Sequence, residues 1–200
     1  MKLTWLGHAC FIVEQDGYRI VLDPYTDVAG HDDIRTEAHE VLCSHGHYDH
    51  SAVGGVTLLP ERESPFMIRK VQTCHDEQGG ALRGENTVHI LEAGGVSVAH
   101  LGDLGHQLTQ EQLDGIGCVD GVLIPVGGTY TVDAAGAKRV CEALNPKWVI
   151  PMHYRHGSYG FPVLLPVEAF EELWPEVCRT DGPELEVQPD QAGVFVLKFN

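Results

Sequence analysis

Short apolar runs alternate along this chain with polar and glycine-rich breaks. Runs of this kind, rich in β-branched residues and too short for helices, predict strands. They fall at residues 2–5, 10–15, 19–22, 41–43, 70–74, 88–91, 96–100, 121–124, 147–150 and 193–198. Asp16-Gly17 joins the second run to the third, a dipeptide suited to the positive φ values of a tight hairpin. Glu92-Ala93-Gly94-Gly95 divides a later pair in the same way. Helical periodicity is confined to three segments. Residues 109–115 open on Thr109 with Gln112 three positions on, a capping-box pattern. Residues 133–144 open on Asp133 and stop before Asn145-Pro146. Residues 166–174 open on Pro166 and set Val167, Phe170 and Leu173 on one face. The pattern predicts one β-rich domain over residues 1–200 with peripheral helices and no internal repeat.

Composition narrows the function. A chain of 200 residues, 43% hydrophobic, can bury about 70% of its unfolded surface. No apolar run reaches the roughly 18 residues of a membrane span. The N-terminal MKLTWLGHACFIVE lacks the unbroken apolar stretch of a signal peptide, so a cytoplasmic protein is expected. Net charge is −16, from 29 acidic and 13 basic residues. Nucleic-acid binding needs a cationic face to displace phosphate counterions, and the nearest basic group, Arg62, Arg69 and Lys70, is offset by Glu61 and Glu63. Six cysteines (Cys10, Cys43, Cys74, Cys118, Cys141, Cys178) form no CxxC pair and are expected as reduced structural thiols.

Histidine departs from the ordinary, with 12 in 200 residues, and its placement is not random. In Ser44-His45-Gly46-His47-Tyr48-Asp49-His50 an apolar run ends and four ligand-type side chains follow within six positions. Histidines at i and i+2 on a turn can project to one side, and Gly46 removes the side chain that would crowd them. Asp49 and His50 can diverge toward a second point nearby, giving the imidazole and carboxylate set that divalent cations take. Three further ligand-type residues close apolar runs: His75, Asp103 and His153. Loops at one end of a sheet are where unrelated strands converge on a site.

These residues resemble the metallo-β-lactamase superfamily. HGHYDH matches its HxHxDH signature, and the later His, Asp and His follow in the family's order. The resemblance extends from WLGHACF and IVLDPY through HLGDLGH to IPMHY. Within the superfamily the chain is similar to small stand-alone Zn-dependent hydrolases and to L-ascorbate-6-phosphate lactonase. One departure is the setting of His75, Thr-Cys-His-Asp-Glu-Gln-Gly-Gly, which lacks the usual further Gly-His. The resemblance implies an α+β fold, a four-layer αββα sandwich of two mixed sheets flanked by helices. It assigns His45, His47 and His75 to a first metal and Asp49, His50 and His153 to a second, with Asp103 bridging. The implied cofactors are two divalent ions, zinc first and manganese as the alternative.

The expected activity is hydrolysis of a small ester, lactone or phosphoester by a hydroxide that the metal pair activates. Two dications against two aspartates and a hydroxide leave about one positive charge, which favours a small anionic substrate. Asp49 is expected to orient the attacking hydroxide, and the resemblance places His8 near the pocket as a second catalytic group. Asp23 reads as a strand-end turn carboxylate or a partner to a ligand histidine, rather than a direct ligand. His100 reads as structural or as a partner to a site residue, and His106 and His156 as candidate pocket lining. Gly127-Gly128-Thr129-Tyr130 reads either as an oxyanion contact or as a tight turn. Two other functions compete. A phosphodiesterase or nuclease needs a basic groove. A di-iron oxidoreductase of this superfamily carries an acidic residue where this loop has His47.

Overall fold

The computed structural model describes residues 1–199. Strand formation follows the apolar runs, giving β1 (Lys2–Gly7), β2 (Cys10–Gln15), β3 (Tyr18–Leu22), β4 (Thr36–Ala38), β5 (Glu40–Leu42), β6 (Val56–Leu58), β7 (Met67–Cys74), β8 (Glu85–Ala93) and β9 (Val96–His100). Helix α1 (Gln110–Ile116), β10 (Gly121–Pro125), α2 (Ala134–Leu144), β11 (Trp148–Met152), α3 (Glu168–Glu171), β12 (Cys178–Arg179), β13 (Glu184–Glu186) and β14 (Gly193–Val196) complete the chain. Asp16 and Gly17 both have positive φ, as the hairpin between β2 and β3 requires. The capping box forms as well: Gln112 N–H donates to Thr109 Oγ1, and Thr109 N–H donates to Gln112 Oε1.

Alternation along the strands sets the layers. In β2 and β3, Phe11, Val13, Ile20 and Leu22 enter the main core, whereas Cys10, Ile12 and Val21 enter a smaller one. A strand apolar on both faces must be covered twice. One face of this five-stranded sheet, ordered β13-β1-β2-β3-β5, shares the main core with a seven-stranded sheet ordered β12-β14-β11-β10-β9-β8-β7. Both sheets are mixed, so the expected α+β sandwich of two mixed sheets is what forms. Helix α1 packs on β7, and α2 on β10 and α3. The outer face of the five-stranded sheet is covered differently. There Tyr25, Val28, Ile34 and Ala38 close over Cys10, Ile12 and Val21, with Val56 of the two-stranded β4/β6 ribbon beside them.

Three departures from the expected elements have physical causes. The third helix shrinks from residues 166–174 to Glu168–Glu171, because Pro175 disfavours helical backbone at Trp174; Leu173, expected on the buried face, is 41% exposed. The short strands β4, β6, β12 and β13 were not predicted; at two or three residues each they carry no period to read. The run at 193–198 ends as a strand at Val196. Among the described residues all six cysteines are free, with Cys10 and Cys141 buried. Among the described residues no helix is long and apolar enough to cross a membrane.

Strand direction positions the site. β1 and β3 both run antiparallel to β2, and β5 runs parallel to β3. In the other sheet β7 and β9 both run antiparallel to β8, and β10 and β11 continue parallel to β9. Within each sheet the odd-numbered strands from β1 to β11 therefore finish at a common end. The interior of the second sheet tolerates little change. Gly121 pairs in register with the fully buried Trp148, and a Cβ on Gly121 would lie 2.1 Å from the indole carbons. Gly121→Ala should lower unfolding free energy by about 1–3 kcal/mol through overpacking. Urea denaturation measures this, and an unchanged midpoint would contradict the packing described.

Candidate metal centre

Every odd-numbered strand from β1 to β11 hands a polar side chain to the same rim: His8 after β1, Asp23 after β3, the 44–50 loop after β5, His75 after β7, Asp103 after β9 and His153 after β11. His8, Asp23 and His153 have φ of 50°, 45° and 54°, left-handed backbone that residues other than glycine rarely adopt. Strain of this kind persists where surrounding contacts over-determine it and clusters at functional sites. Here the contacts include a backbone bond from His153 N–H to His8 O at 3.1 Å and one from the Trp5 indole N–H to the same oxygen at 3.0 Å.

Asp23 fixes the loop. Its carboxylate accepts from Ser44 N–H and Ser44 Oγ, both at 2.6 Å, and pairs with His50 Nδ1 at 2.8 Å. Ser44 Oγ also lies 2.9 Å from His45 Nδ1. With Nδ1 of His45 and His50 engaged as N–H donors, each ring turns the lone pair of Nε2 toward the cluster. Burial pushes the Asp23 carboxyl up, but the neighbouring His50 outweighs it and holds the group at about 2.

Asp103 sits between the histidines. Its Oδ1 is 3.2 Å from His50 Nε2, and its Oδ2 is 3.0 Å from His75 Nε2 and 3.4 Å from His153 Nε2. Asn86 places it: Asn86 Oδ1 accepts from Asp103 N–H at 2.9 Å, and its amide donates to Thr73 Oγ1 and to Leu101 O. Gly102 is needed in the same turn, since a Cβ there would come 2.4 Å from Asn86 Oδ1. Two donor sets converge on this carboxylate. His45, His47 and His75 form one, and His8, Asp49, His50 and His153 form the other, each with ligand atoms mutually within 4.8 Å; His45, His50 and Asp103 link them.

The donor chemistry fits divalent cations. His45 Nε2, His50 Nε2, His153 Nε2 and Asp103 Oδ1 are buried without a hydrogen-bond partner. A buried polar atom left unsatisfied costs about 1–3 kcal/mol, so several aimed at a common space call for a further partner. The electrostatics ask for positive charge. Burial lowers the His50 imidazole, yet the carboxylates of Asp103 and Asp23 outweigh it and raise it well above its ordinary value. His8 is the opposite case: burial and the adjacent His153 push it down to about 3, so it is neutral at physiological pH.

All seven expected ligands are thus brought together, together with His8 and Asp23. His75 joins them despite its unusual sequence setting. His100 is structural, its Nε2 bonded to Ala9 O at 2.8 Å and its Nδ1 accepting from Gly102 N–H. His106 accepts from Cys74 N–H at 3.1 Å and so secures the end of β7. His156 lies away from the cluster, in a cavity of about 230 Å³ shared with Trp5 and Arg179. The 127–130 segment forms a tight turn, in which Tyr130 N–H and Thr131 N–H donate to Gly128 O and Gly128 N–H donates to Val132 O, so these three groups are committed rather than free for an oxyanion. Ser44 and Asn86 were not anticipated. Ser44 adjoins the ligand loop and could have been suspected, whereas Asn86 carries no local signal.

A two-sheet sandwich with a histidine and aspartate cluster at one rim is the architecture of a metallo-β-lactamase-type hydrolase. The sequence model of the β-lactamase superfamily domain matches residues 2–153, and the chain belongs to that superfamily. It is 30% identical to a UPF0173 metal-dependent hydrolase of Carboxydothermus hydrogenoformans, over 77% of this chain and 84% of the relative. A UPF0173 protein of Pyrococcus furiosus is also 30% identical, over 80% and 85% of the two chains. In crystal structures, a candidate Zn-dependent hydrolase of the metallo-β-lactamase superfamily from Thermotoga maritima superposes with a TM-score of 0.78 at 36% identity, covering 100% of this chain and 99% of its own. The chain is a member of this group of metal-dependent hydrolases.

Removing the Asp23 carboxylate should free both ring orientation and loop position. Asp23→Ala is expected to weaken metal affinity about 10- to 100-fold. Competition with a fluorescent chelator reads this directly, and wild-type affinity in the variant would rule out the orienting role.

Proposed function

We propose that this protein hydrolyses a small anionic ester, lactone or phosphoester at a pair of divalent cations, zinc or alternatively manganese. The observation that carries the proposal is the sharing of Asp103 between two donor sets. His45, His47 and His75 would hold one ion, Asp49, His50 and His153 the other, and Asp103 both. When bound, such a pair would lower the pKa of water to about 7 and polarise a substrate oxygen.

The chain's own groups do the rest. Asp49 is held at about 2, since His8 and His50 outweigh the upward push of burial, so it is ionised at neutral pH. Its Oδ2 lies 3.4 Å from His8 Nε2. Neutral His8 can donate to that oxygen and fix the carboxylate, leaving its other oxygen to take a hydrogen bond from the attacking water. Phe161 meets His8 edge-on at 5.5 Å and limits bulk water on that side. A net charge of −16 supports a small substrate over a nucleic acid. His47 at the position where the di-iron members are acidic supports hydrolysis over redox chemistry.

The test begins with metal content of freshly purified protein, expected near two ions per chain. Chelation should abolish turnover of a panel of esters, lactones and phosphoesters, and zinc or manganese should restore it. His47→Ala is expected to lose one ion and at least a hundredfold in kcat/KM. Equal turnover by that variant would sink the proposal.

A further inference from the structure

A cleft of about 380 Å³ runs between the loop after β7 and the start of α2. Asp76 and Gly105, which follow His75 and Asp103 by one and two residues, lie in its wall. Gly105 packs closely on the His75 backbone, where a Cβ would come 2.3 Å from the carbonyl carbon, so the cleft lies beside the loops that carry two of the expected ligands. Tyr130 forms part of another wall and meets Phe161 at 6.3 Å, the same ring that contacts His8.

Which charges in the cleft are free decides its chemistry. Asp76 is not free. Its carboxylate accepts from the backbone N–H groups of Gln78, Gly80, Leu82 and Arg83 at 2.8–3.0 Å, and so folds the loop that carries both His75 and Arg83. Asp133 is committed to the N-terminus of α2, accepting from Gly136 N–H at 2.7 Å. Glu77 is the remaining acid of the lining, exposed at the rim. Against it stand two arginines, Arg83 and Arg139. Elsewhere Arg69 and Arg179 are paired with glutamates. Among the described residues the guanidinium groups of Arg83 and Arg139 have neither an ion pair nor a hydrogen bond. Arg83 lies over the Tyr130 ring, 5.7 Å from its centroid. Two uncommitted guanidinium groups in one cleft of an otherwise acidic protein offer the forked donors that carboxylates and phosphates take.

We infer that this cleft is a subsite for an anionic group on the substrate, a carboxylate or phosphate remote from the scissile bond, held by Arg83 and Arg139. The inference rests on the hydrolase reading above, which supplies the reacting end. Tyr130 braces Arg83 from one side and, with the exposed Leu82, gives an apolar flank to the stem joining the two ends of the substrate.

Titration calorimetry tests it. Metal-loaded wild-type and Arg83→Gln/Arg139→Gln proteins, matched for metal content and circular dichroism, are titrated with phenyl phosphate and with benzoate. Binding to the metals is common to both proteins, so the difference reads the arginines. At least tenfold weaker binding of one anion or both in the double variant is expected, and which of the two is affected tells phosphate from carboxylate. Arg83→Lys/Arg139→Lys should fall between, keeping charge and losing the fork. Equal affinity in wild type and double variant overturns the subsite even if esters are hydrolysed. An enzyme that turns over nothing in the panel, yet binds these anions through the arginines, overturns the hydrolase reading and leaves the subsite standing. Should the double variant fold poorly, Arg139→Gln alone, at an exposed helix position, gives the same comparison with a threefold or larger loss expected.

Discussion

Two buried carboxylates, Asp23 and Asp103, dictate what surrounds them at the rim. An ionised acid out of reach of water must be met by hydrogen bonds or by positive charge, or it will not remain ionised. Asp23 meets the condition with Ser44 and His50. In doing so it ties the end of β3 to the loop that follows β5. Asp103 meets it only in part: Asn86 holds its backbone, but its carboxylate faces the Nε2 atoms of His50, His75 and His153 at 3.0–3.4 Å. Satisfying the first acid sets ring orientations that leave the second under-compensated. That imbalance is a cation site expressed as electrostatics, and the same two carboxylates hold the His50 imidazole well above its ordinary value.

What could be read in the sequence follows from how far each interaction reaches along the chain. The Asp16-Gly17 hairpin, the Thr109/Gln112 box and the HGHYDH loop are local and were legible. His75, Asp103 and His153 were legible by a different logic, as ligand-type residues closing apolar runs. Asn86 was not, because its role exists only once β7, β8 and β9 lie side by side and its amide spans Thr73, Leu101 and Asp103. The third helix was overestimated because apolar spacing favoured residues 166–174, while the stop imposed by Pro175 lay just past them. The cover over the outer face of the five-stranded sheet is made by an irregular segment, and irregular backbone leaves no period to detect.

The charge distribution now has two scales. At a distance the chain is an acidic particle that repels anions, an effect that fades beyond about 8–10 Å at physiological ionic strength. Inside that distance lie the two uncommitted arginines of one cleft and the histidine and aspartate rim. On the proposed reading a small anionic substrate would be held by such near-field contacts, whereas a long polyanion would keep most of its charge over the acidic surface.

The hydrogen bond from His153 N–H to His8 O joins positions near the two ends of the ligand-bearing part of the chain. No early hairpin or local turn can form the rim, because its members are contributed by six separate strand ends and the last of them follows β11. Long-range closures of this kind come late, after the loop entropy between them has been overcome. Ion capture by this protein is thus a signature of completed folding: a chain halted before β11 docks can hold the HGHYDH loop but not the cage around it.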